Sequence, residues 1–133
     1  GACGTAGTED VPAICRSTGD TPYKLKDEHS GKSFLDGMGF WSAKDPQKGI
    51  VNYRTREDAA ALNLTYHDPV SGSFYLQPDM ISRLGSDENR DSVRIETTRL
   101  YKYGLFVLDA DHMPTGCGTW PAFWMYDFPW PEA

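Results

Sequence analysis

The sequence predicts an all-β fold, an antiparallel β-sandwich built from short strands. The 133 residues include 13 glycines and 9 prolines, a composition that favours turns over long helices. Short apolar or alternating runs recur at about ten-residue spacing, which is typical of sandwiches. Aromatic residues make up 13% of the chain, which argues against disorder. We therefore expect one domain, able to bury roughly two thirds of its unfolded surface.

The first half of the chain alternates weak strands with turns. Residues 1–21 predict an irregular N-terminal arm, and residues 22–133 the sandwich. Strands are predicted over 23–28, 33–41 and 49–54. Two glycines weaken the second of these, where they mark a bulge or a close backbone approach; they are Gly37 and Gly39.

The middle of the chain contains the one helical pattern. Glu57 and Asp58, followed by three alanines, predict about two helical turns over 56–62. Ser71-Gly72 predicts a turn before a strand over 73–77, and residues 82–89 predict a polar loop.

Two stronger strands follow. Over 91–101 an apolar set alternates with a polar set, so the strand is half-buried; the sets are Val93, Ile95, Thr97 and Arg94, Glu96, Thr98. Residues 103–110 are apolar on both faces, which predicts a strand in the middle of a sandwich.

Charge and hydropathy exclude two classes of partner. The net charge of −6 is diffuse, and no basic stripe of the kind that binds nucleic acid is present. No run of about twenty apolar residues predicts a membrane span. The first residues are small and polar, as in a processed mature terminus.

The cysteines and a glycosylation sequon favour an extracellular protein. Cys3 and Cys15 flank a Gly/Thr-rich terminus that a disulfide between them would tie down, although the sequence equally allows two free thiols. Cys117 is then a buried free thiol or half of a bridge whose partner is not in this chain. Asn63-Leu64-Thr65 is a glycosylation sequon, and secretion is the context in which it would be used.

Three of the four tryptophans fall in the last seventeen residues. The run from Tyr103 to Trp124, followed by Trp130-Pro131, closely resembles glycoside hydrolase family 16, most of all its fungal laminarinase-like endo-1,3(4)-β-glucanase branch. Upstream motifs agree in order and spacing: Gly-Ile-Val-Asn-Tyr at 49–53, Asn-Leu-Thr-Tyr at 63–66 and Arg-Asp-Ser-Val-Arg-Ile at 90–95. The resemblance covers about residues 22–133 and omits the arm.

This resemblance implies a concanavalin A-like β-jelly-roll with a glucan cleft across its concave sheet. It also implies a Glu-x-Asp-x-x-Glu signature that normally begins a few residues after the position of Trp130-Pro131. The sequence given ends at Ala133, so we expect it to contain no catalytic residue. Glu132 precedes the family's first glutamate by several positions, and we do not assign it as the nucleophile.

The resemblance also assigns candidate binding residues. Trp124 and Trp130 are predicted sugar platforms, because an indole offers a broad apolar face; core packing is the alternative, and for Trp120 it is at least as strong. Arg94 matches a cleft arginine, and its rigid fork of donors suits sugar hydroxyls. Its alternative is a surface arginine paired with Glu96 or a neighbour. Asn52 matches a family polar contact.

Other chemistries have less support. Asp109, Asp111 and His112 include metal-ligand types, but calcium needs six or more oxygen ligands and zinc three or four protein ligands. We predict a structural turn there, no metal and no cofactor. No serine lies in a nucleophile elbow.

Two functions follow. The first is the N-terminal part of a secreted or cell-wall β-glucan hydrolase or transglycosidase, with a second chain or a missing segment completing the sandwich. The second is a non-catalytic glycan-binding protein on a shortened scaffold. In both, an incomplete sandwich would expose strand edges and an open core face.

Overall fold

The structure, a computed structural model, describes residues 23–127. The predicted arm, Cys3, Cys15 and Trp130 therefore lie outside the described residues. Short strands dominate, with one short α-helix and one 3-10 turn, Gly31–Ser33. The elements are β1 Met38–Phe40, β2 Val51–Tyr53, α1 Arg56–Ala61, β3 Thr65–His67, β4 Phe74–Leu76, β5 Arg90–Ser92 and β6 Ile95–Thr97.

The strands form three two-stranded ladders. β1 pairs with β6 and β3 pairs with β4, both antiparallel, as predicted. β2 and β5 pair in parallel, so the expectation of a wholly antiparallel sheet is wrong for this pair. The physical reason is the connection: α1 and the β3–β4 hairpin lie between β2 and β5, and a crossover of that length lets the chain return in the same direction.

Helix α1 forms where the composition predicts it, and both of its ends are capped. The Thr55 side chain accepts a hydrogen bond from the Asp58 backbone N–H at 3.1 Å, which satisfies one of the orphan donors of the first turn. At the other end Asn63 adopts a positive φ of 53°. The Asn63 and Leu64 N–H groups bond to the Ala60 and Ala59 carbonyls at 3.1 and 2.7 Å, the Schellman arrangement.

The core of the described residues is small and lies under this helix end. Ala59 is 0% exposed and Leu64 is 2% exposed. Phe34 and Phe74 stack on each other, with ring centroids 4.8 Å apart. Burying one leucine contributes only about 1.5–3 kcal/mol, so stability depends strongly on these few side chains.

The β3–β4 hairpin confirms the predicted Ser71-Gly72 turn. The Asp68 carboxylate accepts hydrogen bonds from the Val70 N–H at 2.9 Å and the Ser71 hydroxyl at 2.7 Å. These bonds hold the pKa of Asp68 below its usual value, and the bond from the Val70 backbone is the largest cause. Gly72 has a φ of 76°, a conformation that costs glycine little.

The remaining strand predictions are partly wrong. Residues 23–28 form no strand, and of the predicted 33–41 strand only Met38–Phe40 forms one. Residues 103–110 also form no strand and are not central: Val107 is 77% exposed. A strand requires hydrogen bonds to a neighbour, and no backbone hydrogen bond joins 103–110 to another described segment.

None of the helices within residues 23–127 has the length and apolar content that crossing a bilayer would require.

Candidate functional site

The β1–β6 ladder places three side chains of interest on one face. Gly39 lies opposite Glu96 in the antiparallel register, and the Trp41 N–H continues the ladder by donating to the Arg94 carbonyl at 3.0 Å. Because side chains alternate along a strand, Trp41, Arg94 and Glu96 project to the same side as Gly39. The predicted polar face of residues 91–101 therefore becomes one wall of a surface site.

Arg94 is the centre of this site. Its guanidinium lies 4.7 Å from the centroid of the Trp41 ring and 5.3 Å from that of Trp124. Both distances are within the range of cation–π attraction. The arginine thus joins an indole of the β1 end to an indole of the C-terminal segment, which lies 83 residues away from Trp41 in sequence.

Tyr126 extends the aromatic surface. Its ring centroid lies 5.1 Å from that of Trp124, at an interplanar angle of 38°. Its hydroxyl donates to Glu96 Oε2 at 2.5 Å. The hydrogen bond to Glu96 is the largest cause of a raised Tyr126 pKa, with burial adding to it and the Arg94 charge opposing it. Tyr126 is therefore neutral at ordinary pH and remains a donor.

Tyr53 lies near the same positive charge from another strand. Burial is the largest cause of a raised Tyr53 pKa. The charge of Asp45 raises this pKa further, whereas the charge of Arg94 lowers it. Asp45 closes the turn before β2 by accepting from the Gly49 N–H at 2.8 Å. A Cβ at Gly49 would lie 2.7 Å from the Asp45 carboxylate, so a larger residue would disrupt the turn that aligns β2.

The chemistry of this cluster suits a neutral polyhydroxylated ligand. Trp124 is 42% exposed, so part of its indole faces solvent, and Arg94 brings N–H donors beside it. The Trp41 indole N–H is buried and has no hydrogen-bond partner among residues 23–127. Apolar ring faces edged by donors can contact the C–H face of a sugar and its hydroxyls together.

Asn52 lies in a different environment. Its amide donates to the Asn89 carbonyl and to Asp91 Oδ1, both at 3.2 Å. Asp91 also forms an ion pair with Arg54 at 2.7 Å. These residues line an open polar cavity of about 420 Å³. Neighbouring residues of a strand point to opposite faces, so Asn52 points away from the face on which Tyr53 lies near Arg94. The role of Asn52 as a sugar contact remains a prediction.

The other predicted residues are dispersed. Trp120 is exposed and follows a turn in which Thr119 bonds to the Gly116 carbonyl. Cys117 is exposed and free, so the alternative of a buried thiol is wrong. Asp111 accepts from the Ser73 hydroxyl at 3.3 Å, and within the described part of the chain no group of three His, Cys, Asp or Glu side chains is arranged around a metal position.

Comparison with known proteins decides the family. A family model described as an XgeA-like, catalytic GH16 domain matches residues 38–133. The chain belongs to glycoside hydrolase family 16. This confirms the resemblance that the tryptophan-rich C-terminal motifs predicted. The match runs from β1 past Tyr126 and so includes the aromatic cluster, which consists of Arg94, Trp41, Trp124 and Tyr126.

Curated relatives of this GH16 chain are fungal. An endo-1,3(4)-β-glucanase of Arthroderma benhamiae is 40% identical over 114 residues, which is 85% of this chain and 24% of that protein. A probable glycosidase of Schizosaccharomyces pombe is 38% identical over 110 residues, 83% of this chain and 25% of that protein. The chain thus spans about a quarter of the length of the curated relatives it matches.

Solved GH16 structures are similar over more than half of the chain. An elongating GH16 β-1,3-glucosyltransferase superimposes with a TM-score of 0.55 at 42% identity, over 60% of this chain and 27% of that one. Laminarinase 16A of Phanerochaete chrysosporium, solved with β-glucans in its donor and acceptor sites, gives 0.52 at 35% identity, over 58% and 26%. Its described bound ligand is 6-O-glucosyl-laminaritriose.

Sequence reasoning predicted Arg94 and Trp124 but did not select Trp41 or Tyr126 in this GH16 chain. Trp41 ends the predicted 33–41 strand, and its relevance depends on the pairing of β1 with β6, which no local pattern specifies. Tyr126 lies two residues after Trp124. That spacing places both side chains on one side of an extended segment, and it is the one indication in the sequence that could have identified Tyr126.

Proposed function

We propose that this chain forms part of the glucan-binding cleft of a β-glucan-active GH16 enzyme, a retaining endo-1,3(4)-β-glucanase or transglycosidase. The observation that supports this most directly is the exposed Trp124 indole, braced by Arg94 and flanked by Tyr126. Trp124 would stack on a glucose ring while Arg94 donates to its hydroxyls. Trp130, Trp120 and Asn52 are the further predicted contacts.

The complete enzyme would be a β-jelly-roll with two catalytic glutamates. One would attack the anomeric carbon, and the other would protonate the leaving oxygen and then activate water. Retention requires the two carboxyl groups to lie about 5–5.5 Å apart. Residues 1–133 contain no Glu-x-Asp-x-x-Glu signature, so this part of the enzyme would bind glucan without supplying the acids.

The partner of the chain would be the rest of such a domain. Residues 103–110 are mostly apolar and, apart from half-buried Phe106, exposed, and their backbone is unpaired within the described residues. Backbone N–H and C=O groups without partners are available to pair with a strand of another segment. Further strands, from a following segment or a second chain, would cover this stretch and complete the sandwich.

We also propose secretion to the extracellular space or cell wall, with a glycan on Asn63. Asn63 is exposed in the turn that ends α1. When the protein is expressed in a eukaryotic secretory host, we expect one N-glycan that an endoglycosidase removes and that Asn63→Gln abolishes. An unmodified mass for the secreted wild-type chain would contradict this.

The binding proposal is tested by removing the indole. Trp124→Ala is expected to weaken binding of laminarihexaose by about tenfold or more, because aromatic stacking contributes roughly 0.5–1.5 kcal/mol beyond area burial and 1.4 kcal/mol is a factor of ten. Isothermal titration calorimetry measures the affinity. Phe123→Ala, which removes an adjacent exposed ring, is the matched control and should change affinity less than twofold. Equal affinity of Trp124→Ala and wild type would exclude Trp124 as the platform.

A further inference from the structure

One strand holds the C-terminal aromatic segment at two neighbouring points. Arg94, just before β6, lies against the Trp124 ring, and Glu96 in β6 accepts the Tyr126 hydroxyl at 2.5 Å. Tyr126 in turn contacts Trp124, with centroids 5.1 Å apart. Glu96 is therefore linked to the indole through the Tyr126 ring.

Such bracing matters because the backbone around Trp124 has no regular structure. Residues 120–127 form neither helix nor strand, and both aromatic rings are partly exposed. An indole on irregular backbone keeps one orientation only if neighbouring side chains restrict it. A hydrogen bond to a carboxylate is shorter and stronger than one between neutral groups, and here it anchors the Tyr126 ring, which contacts Trp124.

We propose that Glu96 and Tyr126 are positioning residues that fix the Trp124 indole in its glucan-accepting orientation. The inference rests on the proposed function for the identity of the ligand. The pair would order the platform before binding, so that less side-chain freedom is lost when the sugar arrives. Neither residue needs to contact the glucan for this effect.

Tyr126→Phe tests the inference, because it keeps the ring and removes the hydroxyl. Its matched control is Tyr101→Phe, which removes a comparable phenol–carboxylate hydrogen bond, that of Tyr101 to Asp27 at 2.7 Å, outside the aromatic cluster. Glu96→Ala removes the acceptor, and Glu96→Gln keeps a neutral acceptor and should partly rescue. All variants are made in the 133-residue chain and first compared by circular dichroism.

The first measurement needs no ligand. Acrylamide quenching of indole fluorescence is expected to rise in Tyr126→Phe and Glu96→Ala, to rise less in Glu96→Gln, and to stay unchanged in Tyr101→Phe. The same changes in a Trp124→Phe background should vanish, because Trp124 is the indole that moves. If acrylamide quenching in Tyr126→Phe equals that of the wild type, or if the increase in quenching persists without Trp124, the inference is overturned.

The second measurement is laminarihexaose affinity. We expect a loss of about three- to tenfold for Tyr126→Phe and Glu96→Ala, the size of ordering one or two side chains, and less than twofold for Tyr101→Phe. Wild-type affinity in Tyr126→Phe would overturn the inference even if the indole moves. If the unmodified chain does not bind laminarihexaose, the proposed function fails and the glucan-accepting role fails with it. Quenching alone then decides whether the pair holds Trp124.

Discussion

The 133-residue chain is expected to release no reducing sugar from laminarin above the uncatalysed background. Glycosidic cleavage with retention needs a nucleophile and an acid/base on opposite sides of the scissile bond, and residues 1–133 contain no Glu-x-Asp-x-x-Glu signature. Enzymes accelerate such reactions by at least about 10⁶-fold, so the difference from an intact GH16 enzyme should be unambiguous. A reducing-end assay on purified chain measures it.

An intact GH16 endo-1,3(4)-β-glucanase assayed beside the chain is the positive control. Reducing-sugar release by the chain alone, abolished by Trp124→Ala, would show that acids within residues 1–133 suffice. Adding a GH16 segment that contains the signature should restore hydrolysis if the chain supplies the cleft wall. If the gene encodes no such signature, the non-catalytic glycan-binding hypothesis becomes the better one.

Leu64→Ala is expected to unfold much of the described region. Leu64 is the largest fully buried side chain there, at 2% exposure, and truncating a buried leucine costs about 2–5 kcal/mol through lost transfer energy and the cavity that remains. Small domains have only about 5–15 kcal/mol of total stability. Urea unfolding followed by circular dichroism should show a large fall in the midpoint, or no folded baseline.

Leu100→Ala is the matched control, since the same truncation occurs at a side chain that is 78% exposed. Surface substitutions of this kind usually change stability by less than about 0.5 kcal/mol. If the two variants shared one unfolding midpoint, Leu64 would not be the centre of the core.

The features predicted correctly from sequence are local. Helix α1 follows from its three alanines with Glu57 and Asp58, and the hairpin turn follows from Ser71-Gly72. The alternation over 91–101 placed Arg94 and Glu96 on one face, but the single strand predicted there is wrong, because residues 93 and 94 separate β5 from β6. Each depends on residues within a few positions of one another, which is the range over which propensity and periodicity act.

The features predicted wrongly depend on distant partners. Residues 103–110 have the composition of a central strand, yet most of them are exposed, and no backbone hydrogen bond joins them to another described segment. The parallel pairing of β2 with β5 depends on the crossover between them. Neither outcome can be predicted from the pattern of neighbouring residues.

The sequence by itself determined the family, the turn-rich β character, a short helix beginning at residue 56, and an arginine and a tryptophan as candidate ligand contacts. Only the tertiary structure decided that Arg94 lies between Trp41 and Trp124, that Glu96 anchors Tyr126, and that Asn52 faces a separate cavity. The reason is that strand register assigns each side chain to a face. Register is fixed by hydrogen bonds between segments tens of residues apart, whereas composition and spacing describe only neighbours.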